Sequence, residues 1–316
     1  MKHPLFRPLA ALAALLLIAL FTIPGFFSIT IRDGHLYGSL IDIVNRAAPL
    51  MLAALGMTLV IATRGIDISV GAVVALSGTV AAMLIGGGPD AQTPMIWALC
   101  AAMGAAALCG LWNGVLVATL GLQPIVATLI LMVAGRGLAQ LMTDGQIVTV
   151  YHEPFFFLGG GYFLGLPFSL SVVAIVFAVI ALMMHKSALG LFIQAVGINP
   201  VAARLAGLKT AALIVFVYVF CGACAGLAGL MVSSNIKSAD ANNAGLMLEL
   251  DAILAVTLGG TSLAGGKFSL VGSVIGALII QTLTFTIYSL GVPPEVNMVV
   301  KAVVVFLVCL SQRSAS

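Results

Sequence analysis

The run Thr261-Ser-Leu-Ala-Gly-Gly-Lys-Phe268 holds a Gly-Lys pair near the spacing of a phosphate-binding loop, G-x-x-x-x-G-K-[ST]. In such a loop the first glycine lets backbone amides wrap the phosphates, and the final hydroxyl holds Mg²⁺. Here Thr261 replaces the glycine and Phe268 replaces the hydroxyl, so the run reads as a tight glycine turn. Cys221-Gly-Ala-Cys224 has redox spacing. It lies inside a long apolar run, as do Cys100, Cys109 and Cys309, so all five cysteines read as small apolar residues. His3, His35, His152 and His185 are scattered, and no metal-ligand spacing joins them. The sequence shows no converging nucleophile, base and metal ligands, which argues against a membrane-embedded enzyme.

The elements that would carry these residues are apolar. The 316 residues are 62% hydrophobic and 7% charged, whereas a soluble domain is about 25% charged. Lipid is the natural solvent for such a chain. A net charge of +3 with no basic run gives no footprint for nucleic acid. A span needs about 20 apolar residues. On that basis spans are predicted at 5–27, 46–63, 69–87, 95–120, 122–142, 167–185, 209–232, 250–264, 268–290 and 297–312. The expected fold is an all-α polytopic membrane bundle of about ten transmembrane helices, one domain over 1–316. The eighth span is short. The second and third are joined only by Arg64 to Ile68, as a tight hairpin or a broken helix. The N-terminal apolar run reads as an uncleaved first span, because no small-residue cleavage site follows it.

Lys and Arg set the orientation. With both termini cytoplasmic, Lys2, Arg7, Arg64, Lys186, Arg204, Lys209, Lys267 and Arg313 fall inside, and Arg32, Arg46, Lys237 and Lys301 outside. Among the acids only Asp67 is then inside, and Glu249 and Asp251 lie at the outer boundary. No Asp or Glu is placed at mid-depth in a span, so a proton-coupled carrier lacks its expected buried acid. Asn113, Arg136, Gln140 and Gln281 are the polar residues within spans. Each either makes an interhelical hydrogen bond or lines a solute path. Asn113 and Gln281 are the candidates for a neutral passage. Asp240, Asn242, Asn243 and Glu249 form an outer acidic and amide cluster that could dock a partner.

A polar, glycine-punctuated segment, 187–208, separates two apolar runs on the inner side. Ser187 can cap a first helix over 188–196, which contains Gly190 and which Gly197 ends. Leu189, Phe192, Ile193 and Val196 form its apolar stripe. Asn199 caps a second helix over 200–206, with Pro200 first and Gly207 just past its end. Val201 and Leu205 share one face of it, and Ala203 and Ala206 keep the rest slim. About two turns of helix are not stable alone in water. The second helix therefore either rests on the lipid headgroups or is offered to a cytoplasmic partner.

Several stretches carry a resemblance. They are Gly56-Met-Thr-Leu-Val-Ile-Ala-Thr63, Gly65-Ile-Asp-Ile-Ser-Val-Gly71, Trp112-Asn-Gly114, Gln123-Pro-Ile-Val-Ala-Thr-Leu129, 195–207 and Gly259-Gly-Thr-Ser-Leu-Ala-Gly-Gly266. Together they resemble the permease subunits of bacterial sugar-importing ABC transporters of the ribose and galactose type. Ser238-Ala-Asp-Ala-Asn-Asn-Ala-Gly245 and Gly145-Gln-Ile-Val-Thr149 look most like the galactofuranose-importer branch. The resemblance implies a multi-pass permease of the bacterial inner membrane, and an ATPase subunit that docks on 188–207. ATP and Mg²⁺ then belong to that ATPase and no cofactor to this chain. It also implies a periplasmic sugar-binding protein and a second permease chain, identical or a sister. Arg64 and Phe268 depart from the commoner pattern, which has glycine at both places. A secondary carrier or facilitator for a small polar solute is the alternative reading.

Overall fold

The computed structural model describes residues 5–32, 34–86, 93–293, 296, 298–303 and 306. Its helices are α1 Phe6–Thr22, α2 Ser39–Ala62, α3 Val70–Ile85, α4 Met95–Ala118, α5 Pro124–Met142 and α6 Glu153–Gly160, followed by α7 Phe168–Lys186, α8 Leu189–Ile198, α9 Pro200–Leu205, α10 Thr210–Ile236, α11 Leu248–Leu258 and α12 Leu270–Ser289. Three two-stranded antiparallel ribbons join them. Strand β1 (Thr30–Arg32) pairs with β2 (His35–Tyr37), β3 (Val148–Thr149) with β6 (Ser238–Ala239), and β4 (Tyr162–Phe163) with β5 (Leu166–Pro167).

Among the described residues six helices, α2, α4, α5, α7, α10 and α12, are long and apolar enough to cross a membrane. At ~1.5 Å per residue the 27 residues of α10 span about 40 Å, beyond the ~30 Å of a hydrocarbon core. The sequence boundaries for α4, α5, α7 and α12 agree with the structure to within two residues. Helix α2 starts earlier than expected, at Ser39, because its polar first turns are held: Asn45 accepts a hydrogen bond from Ser169 of α7. Helices α1 and α3 are apolar but shorter. The eighth expected span is an 11-residue helix, α11, too short to cross. Most of the tenth, 297–312, lies outside the described residues. Helix α6 and the ribbons were not legible as elements in the sequence.

The core is built around α2. From Ala47 to Ala62 it is buried almost continuously, packed by α10, α12, α11 and α7. A helix apolar on all sides belongs in the centre of a bundle. Helix α10 also lies against α4 and α3. Small residues let these backbones touch: a methyl group at Gly110, Gly114 or Gly222 would run into backbone of the facing helix. Gly104, also on α4, has open space in front of it. Cys221 and Cys224 are buried free thiols within this contact, as small apolar fillers should be.

Candidate functional site

At one end of the bundle three segments converge: the end of α2, the pair α8/α9, and the glycine turn 259–269. Asn199 caps α9 as expected. Its Oδ1 accepts from the amides of Val201 and Ala202, at 3.1 and 3.0 Å. Gly207 follows at φ +88°, a region costly for other residues. The Ser187 hydroxyl accepts from the Leu189 amide, so it supports the start of α8. Helix α9 exposes Val201 and Leu205, with Leu205 at 84%, and Ala206 just past its end is exposed too. Ala203 points the other way and is buried.

The expected role of Gly197 as the end of α8 is corrected. The helix runs on to Ile198, with Gly197 buried inside it. A methyl group there would overlap the Ala62 carbonyl and the Gly266 amide. These two groups are hydrogen-bonded to each other at 2.9 Å. Gly197 is therefore a contact point, where α8 lies directly on the α2 end and the glycine turn. Gly190 is likewise set against the backbone of Met184 at the end of α7.

The second site is the break between α2 and α3. The sequence placed Asp67 in an inner loop and no acid at depth. The structure keeps Asp67 in the loop between α2 and α3, and what it adds is that the side chain is buried. Its Oδ1 accepts from the Ser69 amide at 3.0 Å, the Ser69 hydroxyl at 2.6 Å and Asn113 Nδ2 at 3.3 Å. Asn113 also donates to the Ser69 hydroxyl at 2.9 Å. Thr128 of α5 accepts from the Ile68 amide, and the Tyr218 hydroxyl donates to the Ile66 carbonyl. Tyr218 stands eight residues into α10, about 12 Å along it. The broken backbone thus lies well inside the bundle, with polar groups from α4, α5 and α10 satisfying it. That is the condition for non-helical chain at membrane depth. Asn113, a candidate for the neutral passage, is thus buried and hydrogen-bonded to Asp67 and Ser69.

The third site is the segment 240–249 at the opposite end of α10. Asp240 accepts from the amides of Asn242 and Asn243 and from the Asn243 side chain. Arg136 of α5 donates to the carbonyls of Ala241 and Ala244, at 3.1 and 2.6 Å. Gln140 donates to Asn242 Oδ1 at 2.8 Å, and Asn242 donates to the Gly145 carbonyl at 3.2 Å. Strands β3 and β6 therefore sit beside a hydrogen-bonded junction that joins 145–149 to 238–245. Asn242 and Asn243 are exposed, whereas Glu249 is buried at the start of α11. Its carboxylate abuts Gly71 in the first turn of α3, where any side chain would strike it. Asp251, two residues on, is paired with Lys301 at 2.9 Å. Gln281 is half-buried on α12, which packs on α2, α11 and α1, whereas α4, which carries Asn113, packs on α10, α3 and α5. Within this chain the two amides thus lie on helices with different neighbours.

No group of metal-ligating side chains occurs among the described residues. A helical bundle with six helices, among the described residues, that are long and apolar enough to cross a membrane is an integral membrane protein. The chain belongs to the family described as branched-chain amino acid transport system / permease component, which matches residues 39–309. It is 53% identical over 305 residues to the galactofuranose transporter permease protein of Escherichia coli K12, covering 96% of this chain and 88% of that one. It is 41% identical to the fructose import permease of Bifidobacterium longum, over 89% of this chain and 79% of that protein. It is 39% identical to the ribose import permease of E. coli K12, over 96% and 92%. These relatives are transport permeases and not enzymes. No solved structure matches the chain.

Proposed function

We propose that this chain is the membrane permease of an ABC importer that passes a monosaccharide inward, with galactofuranose as the first candidate. The 53% identity to a galactofuranose transporter permease over nearly the whole chain carries this reading. A separate ATPase supplies the energy and docks on the 187–208 segment, chiefly at Val201, Leu205 and Ala206. Gly190, Gly197, Asn199, Pro200, Ala203 and Gly207 shape that surface from behind. A periplasmic sugar-binding protein docks on the outer segment at Asp240, Asn242 and Asn243. A second permease chain, identical or a sister, completes the passage, and Gln281 is its candidate lining residue. The protein sits in the bacterial inner membrane with about ten spans and both termini in the cytoplasm. The deciding test is uptake by cells that express the chain with its neighbouring ATPase and binding protein, using labelled galactofuranose, ribose and fructose. Galactofuranose uptake that stops when the ATPase is inactivated supports the proposal. Uptake that persists without the ATPase favours a secondary carrier.

A further inference from the structure

We infer that Arg64 is a positioning residue that fastens the α8/α9 surface to the end of α2 and to the glycine turn, so that a displacement of α8 and α9 is passed into the bundle. The inference rests on the reading of α8/α9 as the ATPase contact.

Three observations carry it. The first is the backbone. Arg64 is held at φ +65°, a conformation that glycine adopts freely and that burdens other residues by about 1–2 kcal/mol. A side chain kept at a strained position points to work done by that side chain.

The second is where the side chain goes. Nε donates to the Ala264 carbonyl at 3.0 Å, and Nη2 donates to the Ile198 carbonyl at 2.5 Å. Ile198 is the last residue of α8. Its carbonyl is one of the four that a helix leaves unpaired, at the negative end of the helix dipole. A guanidinium is suited to this place: it is planar, always charged, and aims donors in two directions at once. Gly265, at φ +83°, leaves the space that the Arg64 stem fills.

The third is the fit beneath the clasp. Gly197 of α8 lies on the Ala62 carbonyl and the Gly266 amide with no room for a methyl group. The contact is thus tight in compression, and Arg64 closes it in tension. The turn leads directly into α12 and follows α11, both of which pack on α2. Movement of α8 therefore has a short route to three helices of the core.

The test uses Arg64→Gly and Arg64→Lys in the full importer in liposomes. Glycine keeps the backbone without strain and removes both hydrogen bonds. Lysine keeps the charge and can hold one carbonyl at a time. Four quantities are read: folded permease after extraction, ATPase association, ATP hydrolysis, and sugar moved per ATP hydrolysed. The expected result is a folded R64G complex that still binds the ATPase and hydrolyses ATP. Its sugar moved per ATP should fall about tenfold, the change that one lost charge-assisted hydrogen bond can bring, with R64K in between. Native coupling in R64G overturns the inference. So does loss of ATPase association in both variants, because Arg64 would then build the contact surface itself. Should R64G fail to fold, R64K decides alone: native coupling overturns the inference, and reduced coupling with the ATPase bound supports it. Failure of the α8/α9 reading shows separately, as undiminished ATPase association when Leu205 is replaced by Asp.

Discussion

Asn113 donates its amide to the Asp67 carboxylate at 3.3 Å, with both side chains sealed from solvent. Two bonds from Ser69 and one from Asn113 end on Asp67 Oδ1. Asp67→Asn keeps an oxygen acceptor there, so a D67N permease should unfold in detergent close to the native temperature. Asp67→Ala leaves buried donors without an acceptor, at about 1–3 kcal/mol each. It should lower the melting temperature and the folded yield, as measured by thermal unfolding of the purified protein. Equal stability of the two variants would show that the node does not hold the α2–α3 break.

Gly197 and Gly207 make a contrasting pair. Ala at 197 must displace backbone of two other segments, an overpacking expected to cost about 1–3 kcal/mol or more. Ala at 207 meets open space and carries only the strain of φ +88°, about 1–2 kcal/mol. Thermal unfolding should rank native, then G207A, then G197A, and G197A should also weaken sugar transport.

At the end of α9, Leu205→Asp and, just past it, Ala206→Arg change exposed positions and leave the bundle untouched. Both variants should reach the membrane at native levels and lose ATPase association in co-purification. Ala203→Arg differs, because Ala203 is buried. It should reduce folded protein before any question of docking arises. Normal ATPase co-purification with L205D and A206R would remove α9 from the interface.

At the outer segment Asp240 and Glu249 should separate. Burial works against ionised Asp240, but the hydrogen bonds from the Asn243 side chain and from the Asn243 and Asn242 amides outweigh it and hold its carboxyl below the usual range. A depressed carboxyl contributes fully above its unfolded value and loses that contribution as pH falls through the folded one. Binding that uses this charge should be flat from neutral pH to about pH 5 and fade only below about pH 4. Asp240→Lys should weaken binding-protein docking, more at low salt than at high. Glu249→Lys should instead lower folded yield, because that carboxylate is buried against α3. Surface-binding measurements across pH and salt with D240K check the first point, and membrane levels of E249K the second.

The apolar runs determined by themselves that this chain lives in lipid, and their lengths located α4, α5, α7, α10 and α12. A helix needs only its own residues to satisfy its backbone, so its extent is written locally. The Asn-Pro start and glycine end of α9 were legible for the same reason, since a cap is a bond between near neighbours. What only the tertiary structure decided is which polar residues are buried and what they hold. Asp67 sits five residues past the end of α2 and reads as a loop acid. It is buried because Asn113 and Tyr218, far along the chain, close over the break. Gly197 read as a helix stop, and it is instead the surface on which two distant turns rest. Segments 145–149 and 238–245 shared a resemblance in the sequence, and the fold joins them through β3, β6 and Asn242. Burial is a property of what packs alongside, and contacts between residues a hundred or two hundred positions apart leave no local periodicity to read.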